Sequence, residues 1–356
     1  MPRVRRRSAV NPRQTDSSVD LARLLEVIGA FSRQTICVLG DFVLDEFVFG
    51  DISRVSREAP VLILRHRRTD AYPGGGANAA MNLASLGASV VAVGIVGNDA
   101  GGETLIERFR AAKIDARGVS RVKGWTTPVK TRYLAGWTHT TEQQVLRVDR
   151  EPSGALPDEA TKLLERNARR AAAAADGVLV SDYGFGAATP GLVQKLSAKR
   201  ITLDSRYRLL EYRGCRITAA TPNEYELQAA YHTEIGPNVA KLEEVSGQAR
   251  EELGLDALVV TRGKDGLAVI EAAKANKSDA VHHIPVFGSD EAVDVTGAGD
   301  TVIAVFTLAL AAGASHLEAA HLANYAGGIV VMKRRTATVT RAELENALRA
   351  EATARR

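Results

Sequence analysis

The sequence predicts a doubly wound α/β fold: a mostly parallel sheet flanked by helices, carrying a small antiparallel β lid. Two observations predict it. Short apolar runs that read as buried strands alternate with helical stretches through most of the chain, as in a parallel sheet. Two further regions, about 42–70 and 128–150, alternate apolar and polar residues like half-exposed strands and do not fit inside that sheet.

In chain order, LARLLEVIGAF (21–31) places apolar residues at helical spacing, and TICVLGDFVL (35–44) reads as a buried strand ending near Gly40-Asp41. FVFG and VLILRHRR form the first lid region. MNLASLG is a helix and ASVVAVGIVG (88–97) a buried strand, followed by the helix GGETLIERFRAA. VKTRYLAG (129–136) and QQVLRVDR (143–150) form the second lid region. The helix DEATKLLERNARRAAAAA, the strand GVLVSDYG, the helix TPGLVQKLSA and the strand KRITLDSR continue the alternation. ITAATPN, LDALVVTRGKDG and LAVIEA extend it, and two apolar helices (301–313 and 317–332) and the amphipathic ELENALRAEA end it. With no internal repeat or low-complexity linker, 19–350 is expected to form a single domain behind a disordered basic tail, 1–18.

The 356 residues are 45% hydrophobic and 25% charged, ordinary for a globular protein. Aromatic residues make up only 5%, which gives no support to a stacking surface for single-stranded nucleic acid. The net charge is +4, and five arginines lie in MPRVRRRSAVNPR, which reads as a solvated tail; no nucleic-acid partner is expected. No run of about 18 apolar residues offers a membrane span. Cys37 and Cys215 are too far apart and too few for a disulfide framework, so a reducing cytoplasm is expected. His282 and His283 sit on an apparent strand without further ligands and are expected to be structural.

Three stretches carry chemistry. DVTGAGD (294–300) lacks the third glycine of a dinucleotide fingerprint and the G-K-[ST] of a Walker loop. What remains is a small-residue turn at a helix N-terminus, where the N–H groups of Gly297, Ala298 and Gly299 can hold an anion. Asp300 is either a simple cap or a base beside that anion hole. YPGGGANAAMNLASLG (72–87) is either a flexible loop with a capping Asn78 or a close approach of backbone to a polyol, with Asn78 and Asn82 facing hydroxyls. Asp41 and Asp45 follow a buried strand, at the end where open α/β sheets bind ligands.

Together these stretches resemble the ribokinase-like (PfkB) sugar kinases over roughly 21–348. Gly74-Gly75-Gly76-Ala77-Asn78-Ala79-Ala80, Gly87 and Gly97 match one family signature, and Asp294 to Asp300 with Ala304 match the other. TPNEYE (221–226) resembles the family's Asn-x-x-Glu element and TRGKDG (261–266) its nucleotide-binding turn. Within the family, GDFVLDEFVFGDISRVSREAPV, PGGGANAAMNLASLGA, EQQVLRVDRE, VLVSDYG and DVTGAGDTVI are similar to the D-glycero-D-manno-heptose-7-phosphate kinases. The resemblance implies transfer of the ATP γ-phosphate to the anomeric hydroxyl of a sugar phosphate, with Asp300 as base. It implies acceptor contacts from Asp41, Asp45, Gly75, Gly76, Asn78, Arg147, Asp182 and Arg206. It implies nucleotide contacts from Asn223, Glu226, Thr261, Gly263, Gly266 and Asn324, with Mg²⁺ near Asn223 and Glu226 through water. Without an H-x-G-H motif, no cytidylyltransferase activity is expected.

The chain departs from that subgroup at three places: Phe185 replaces a Lys, Asp204-Ser205-Arg206 replaces Asp-Pro-Lys, and KRRTATVT (333–340) lacks a glycine. Arg57, Lys130, Arg132, Arg147 and Arg206 are candidate replacement cations. The alternation at Val61, Ile63, Val129 and Tyr133 suggests a lid face covered in a homodimer. Rival readings are a PfkB kinase for a ketose, ribose or nucleoside, a catalytically silent regulator, and a nucleic-acid binder using the tail.

Overall fold

The computed structural model describes residues 19–136, 142–272, 279–289 and 291–354, so the expected tail, 1–18, lies outside the described residues. The strands are β1 (Thr35–Gly40), β2 (Phe42–Val55), β3 (Leu62–Gly75), β4 (Ser89–Gly97), β5 (Asp115–Val122), β6 (Val129–Gly136) and β7 (Gln143–Arg150). They continue as β8 (Gly177–Asp182), β9 (Ile201–Ser205), β10 (Ala219–Ala220), β11 (Ala257–Thr261), β12 (Leu267–Glu271) and β13 (Ala280–Ile284).

Among the described residues the main sheet has nine strands in the order β13-β12-β11-β10-β9-β8-β1-β4-β5. It is parallel from β5 to β11, and β12 and β13 add antiparallel at one edge. Ile36 to Leu39 of β1 are fully buried, which is why that strand reads as an unbroken apolar run. The chain winds outward on both sides of β1, so ligands are expected off the C-terminal ends of β1 and β8. Helix Ala298–Ala311 is apolar all round and buried along nearly its whole length, consistent with a core helix. β5 is absent from the sequence reading because Arg117 and Arg121 interrupt its apolar pattern. It is the sheet's edge strand, where charged residues guard open hydrogen-bonding groups.

The lid is a second, four-stranded sheet in the order β3-β2-β6-β7. The β2–β3 and β6–β7 pairs are antiparallel, as expected from the alternation, and the two hairpins are joined by a parallel β2–β6 pair. That pairing has a simple cause. β2 leaves the main sheet directly after Asp41, and β6 starts beside it, with the Leu44 N–H donating to Pro128 O at 2.9 Å. Both strands therefore run outward from the same root.

Candidate active site

Gly297 begins the helix that carries Asp300 with φ at +79°, a left-handed conformation suited to glycine. Space demands glycine too, since an added Cβ would lie 2.5 Å from Asn78 Nδ2. Asp300 is buried. Its Oδ2 accepts from Asn78 Nδ2 at 3.0 Å and its Oδ1 from the Tyr183 hydroxyl at 2.9 Å. Burial pushes its carboxyl up to about 6, against the two hydrogen bonds, which favour the ionised form. A carboxylate tuned toward neutral pH is suited to accept a proton from a hydroxyl. The expected donor trio loses one member, because the Ala298 N–H closes the turn onto Val295 O at 3.2 Å. The helix start still leaves Gly299 and Asp300 N–H groups without partners inside the helix.

Four residues expected to grip the acceptor have other work. Asn78 donates to Asp300 and, at 3.2 Å, to Gly297 O, while its Oδ1 accepts from Asn82 Nδ2 at 3.1 Å. It thereby holds Asp300 and the turn that precedes it. Asp41 accepts the N–H groups of Tyr183, Phe185 and Ala187 at 2.8–2.9 Å. It is buried, its carboxyl is raised to about 6 by that burial, and it shapes loop 183–187 instead of facing ligand. Asp182 is likewise buried, bonded to Arg208 Nη2 at 2.6 Å, Tyr212 at 2.9 Å and Ser205 at 3.1 Å. Arg147 is held by Asp149 on exposed β7 at 2.5 Å. Gly76 is also inward-facing: an added Cβ would press on Asp41 O at 3.2 Å.

The cavity over Asp300 is lined by Val43, Asp45, Gly75, Lys130, Arg132, Tyr183, Arg206, Val295, Thr296 and Gly297. Asp45 is fixed by Arg132 at 2.6 Å and Thr336 Oγ1 at 3.1 Å. Lys130, buried, stands 4.6 Å above the Tyr183 ring; burial first and Arg206 second hold its pKa below the usual lysine value. Arg206 lies 6.0 Å from the centroid of the Tyr183 ring, and its charge acts to lower the pKa of Asp204 and Glu226. Phe185 lines a different groove, with Trp125, Leu156 and Leu192. Phe185 itself therefore does not line the cavity over Asp300. Arg57 does not line that cavity either.

Tyr183 is the residue the sequence reading missed. Its backbone is set by Asp41, its hydroxyl holds Asp300 and its ring carries Lys130. Its position just after β8, at the ligand-binding end of the sheet, was the available signal.

A second cavity opens on the other side of the 295–300 turn. Thr261, Gly263, Gly266 and Asn324, the residues expected at a nucleotide, line it with Ala298, Gly299, Leu267, Val286, Val302, Gly327 and Val331. Its walls are apolar, suited to a flat base, and Asn324 is locked by donation to Pro285 O at 2.7 Å. Asn223 and Glu226 line neither cavity. They form the capping box of helix Glu224–Tyr231, at 2.9 and 2.8 Å. Glu226 is nevertheless raised to about 7, chiefly by burial, and Asp204 is raised by burial, by Glu226 and by Asp300. No group of three His, Cys, Asp or Glu that could hold a metal occurs among the described residues. His282 and His283 pair instead with Glu271 and Glu243, at 3.5 and 2.9 Å.

Comparison with known proteins decides what this arrangement belongs to. The model of the pfkB family carbohydrate kinases matches residues 34–342. The chain belongs to that family. Among curated relatives of this kinase is the bifunctional protein HldE of Mesorhizobium japonicum, 38% identical over 335 residues, covering 91% of this chain and 64% of that protein. HldE of Caulobacter vibrioides is 39% identical over 325 residues, covering 88% of this chain and 63% of that protein. The kinase thus spans slightly under two thirds of the length of these relatives. In fold it is similar to Arabidopsis thaliana ribokinase complexed with ribose and ATP, with TM-score 0.67, 18% identity and 88% and 98% of the two chains covered. It is also similar to Escherichia coli phosphofructokinase-2 in complex with substrates and products, with TM-score 0.72, 19% identity and 90% and 99% covered. The ribokinase-like fold expected from the signatures is therefore the fold of this chain. No helix among the described residues is long and apolar enough to cross a membrane.

Proposed function

We propose that this kinase transfers the γ-phosphate of ATP to the anomeric hydroxyl of D-glycero-D-manno-heptose 7-phosphate. One observation carries the reading: the 295–300 turn is a wall shared by two cavities. Gly297 and Asp300 face one, and Ala298 and Gly299 face the other. A hydroxyl bound beside Asp300 and a nucleotide bound along Thr261, Gly263, Gly266 and Asn324 meet across it. Asp300 takes the hydroxyl proton, and the N–H groups at the helix start stabilise charge on the transferring phosphoryl. Asp45 and the backbone at Gly75 face the sugar hydroxyls, while Lys130 and Arg206 supply positive charge for the sugar's own phosphate. The stretches shared with heptose-7-phosphate kinases and the likeness to HldE support this acceptor.

Mg²⁺ suits the residues present. After burial, Glu226 and Asp300 raise Asp204, and Asp300 raises Glu226, a crowding of acidic groups that a cation relieves. Mg²⁺ typically keeps several waters and uses one or two carboxylates with substrate phosphates. Glu226 and Asn223 would hold it through water, and it would neutralise charge on the nucleotide phosphates.

Acceptor-dependent ADP release over a panel of sugars and sugar phosphates tests the reading. Turnover with heptose 7-phosphate and little with unphosphorylated heptose, ribose, ketoses or nucleosides is expected. Preference for one of those others assigns a different acceptor, and ATP binding without turnover on any acceptor assigns a silent regulator.

We also propose a homodimer joined lid to lid. Val55, Val61, Leu62 and Leu146 are exposed on the lid, whereas Val129 is buried within the chain. Sedimentation at micromolar concentration should give a dimer that Leu146→Glu converts to monomer.

A further inference from the structure

The stretch 333–340, which departs from the related kinases by lacking a glycine, contains a backbone anomaly. Arg335 has φ of +68°, a left-handed conformation that residues with a Cβ adopt at a penalty and glycine does not. A non-glycine residue persists there only when its surroundings over-determine it.

The surroundings are two separate parts of the site. On one side, the Arg335 N–H donates to Asp294 Oδ2 at 2.8 Å, and the other oxygen of Asp294 accepts the Thr296 N–H at 2.9 Å. The backbone of Arg335 thus braces the turn that leads to Gly297 and Asp300. On the other side, its guanidinium reaches lid strand β3, donating to the Tyr72 hydroxyl at 3.0 Å and pairing with Asp70 at 2.9 Å. It also lies 4.7 Å over the ring of Phe49 on β2. Arg68 shares Asp70 and covers the same ring at 4.0 Å, so Asp70 separates two like charges. Tyr72 packs edge-on against Phe47 and is the register partner of Asp45. The next residue, Thr336, donates to Asp45 itself. Residues 335–336 therefore tie the root of the lid, through Asp70, Tyr72 and Asp45, to the turn that carries the base.

We propose that Arg335 is a positioning residue for phosphoryl transfer, holding the acceptor-facing lid in register with the anion-hole turn. It rests on the kinase reading above, and the part that reaches the lid is the Arg335 side chain itself. The strained backbone and the bridging side chain are two halves of one device.

The test compares Arg335→Gly, Asp70→Asn, the double variant and Arg335→Lys. Arg335→Gly relieves the backbone and removes the bridge, so its melting temperature should not fall. In the protein without ligands, hydrogen exchange should speed up together at the β3 root (70–75) and in the turn (293–297). Asp70→Asn should do the same, because Arg68 and Arg335 then repel. With heptose 7-phosphate, KM for the acceptor should rise about threefold to tenfold in each single variant, and no further in the double, as for residues on one path. KM for ATP should stay within about twofold, and Arg335→Lys should recover part of the acceptor KM. Unchanged exchange in both segments, additive effects in the double variant, or a lowered melting temperature with faster exchange throughout both sheets would each overturn the proposal. If wild-type enzyme does not turn over heptose 7-phosphate, the acceptor reading has failed, and the exchange data still decide on Arg335.

Discussion

The two cavities on either side of the 295–300 turn are built from opposite materials. The acceptor side is polar and densely bonded: Asp45, Lys130, Arg132 and Tyr183 hold one another and the base in fixed places. The nucleotide side is a slot between Val302, Val331, Val286 and glycines, with few polar groups. A base that must be ionised, oriented and shielded needs a surrounding network. A flat heterocycle needs mainly space and apolar walls. On the proposed reading, selectivity for the acceptor would reside in the charged side chains of the first cavity, and the second would offer a nucleotide mainly space.

Substitutions on the two sides should give opposite kinetic signatures. The largest effect belongs to Asp300→Asn, which keeps shape and loses the base. Turnover should fall by about 10²–10⁴-fold, with ATP affinity by calorimetry nearly unchanged. Tyr183→Phe should reduce kcat about tenfold by freeing the base, since a hydrogen bond to a charged group is lost. On the nucleotide side, Gly327→Val should fill the slot beside Val302, raising KM for ATP severalfold while kcat at saturating ATP stays near wild type. The last prediction concerns pH. Asp300 works ionised and titrates at about 6, so kcat/KM should decline below that pH by about tenfold per unit and level off above it. Because the Tyr183 hydrogen bond lowers the pKa of Asp300, its removal should move this acid limb to higher pH. A limb that stays in place would separate Tyr183 from the base.

What the sequence made legible was local. Gly297, Gly263 and Gly266 mark turns with positive φ, written in a few consecutive residues, whereas Asn223 and Glu226, read as a family element, form a capping box in the fold. The fold followed from the same local alternation, except at β5, whose arginines broke the pattern. What stayed illegible depends on partners far along the chain. Asp41 and Asp45 look alike in GDFVLD, yet one accepts three N–H groups from loop 183–187 and the other lines the cavity over Asp300. Asn78 read as a ligand contact because its partners, Gly297 and Asp300, lie more than two hundred residues away. Phe185 drew the reading toward a missing lysine, while the residue of that loop that bonds to Asp300 is Tyr183. The left-handed backbone at Arg335 is not marked by any residue type in KRRTATVT.

Phosphorus NMR of the product tests the central claim most directly. With heptose 7-phosphate and ATP, a second sugar-phosphate resonance coupled to the anomeric proton should grow in step with ADP, the original phosphate remaining, and Asp300→Asn should abolish it. A new phosphate on any other hydroxyl, or ADP with only inorganic phosphate, would contradict the account.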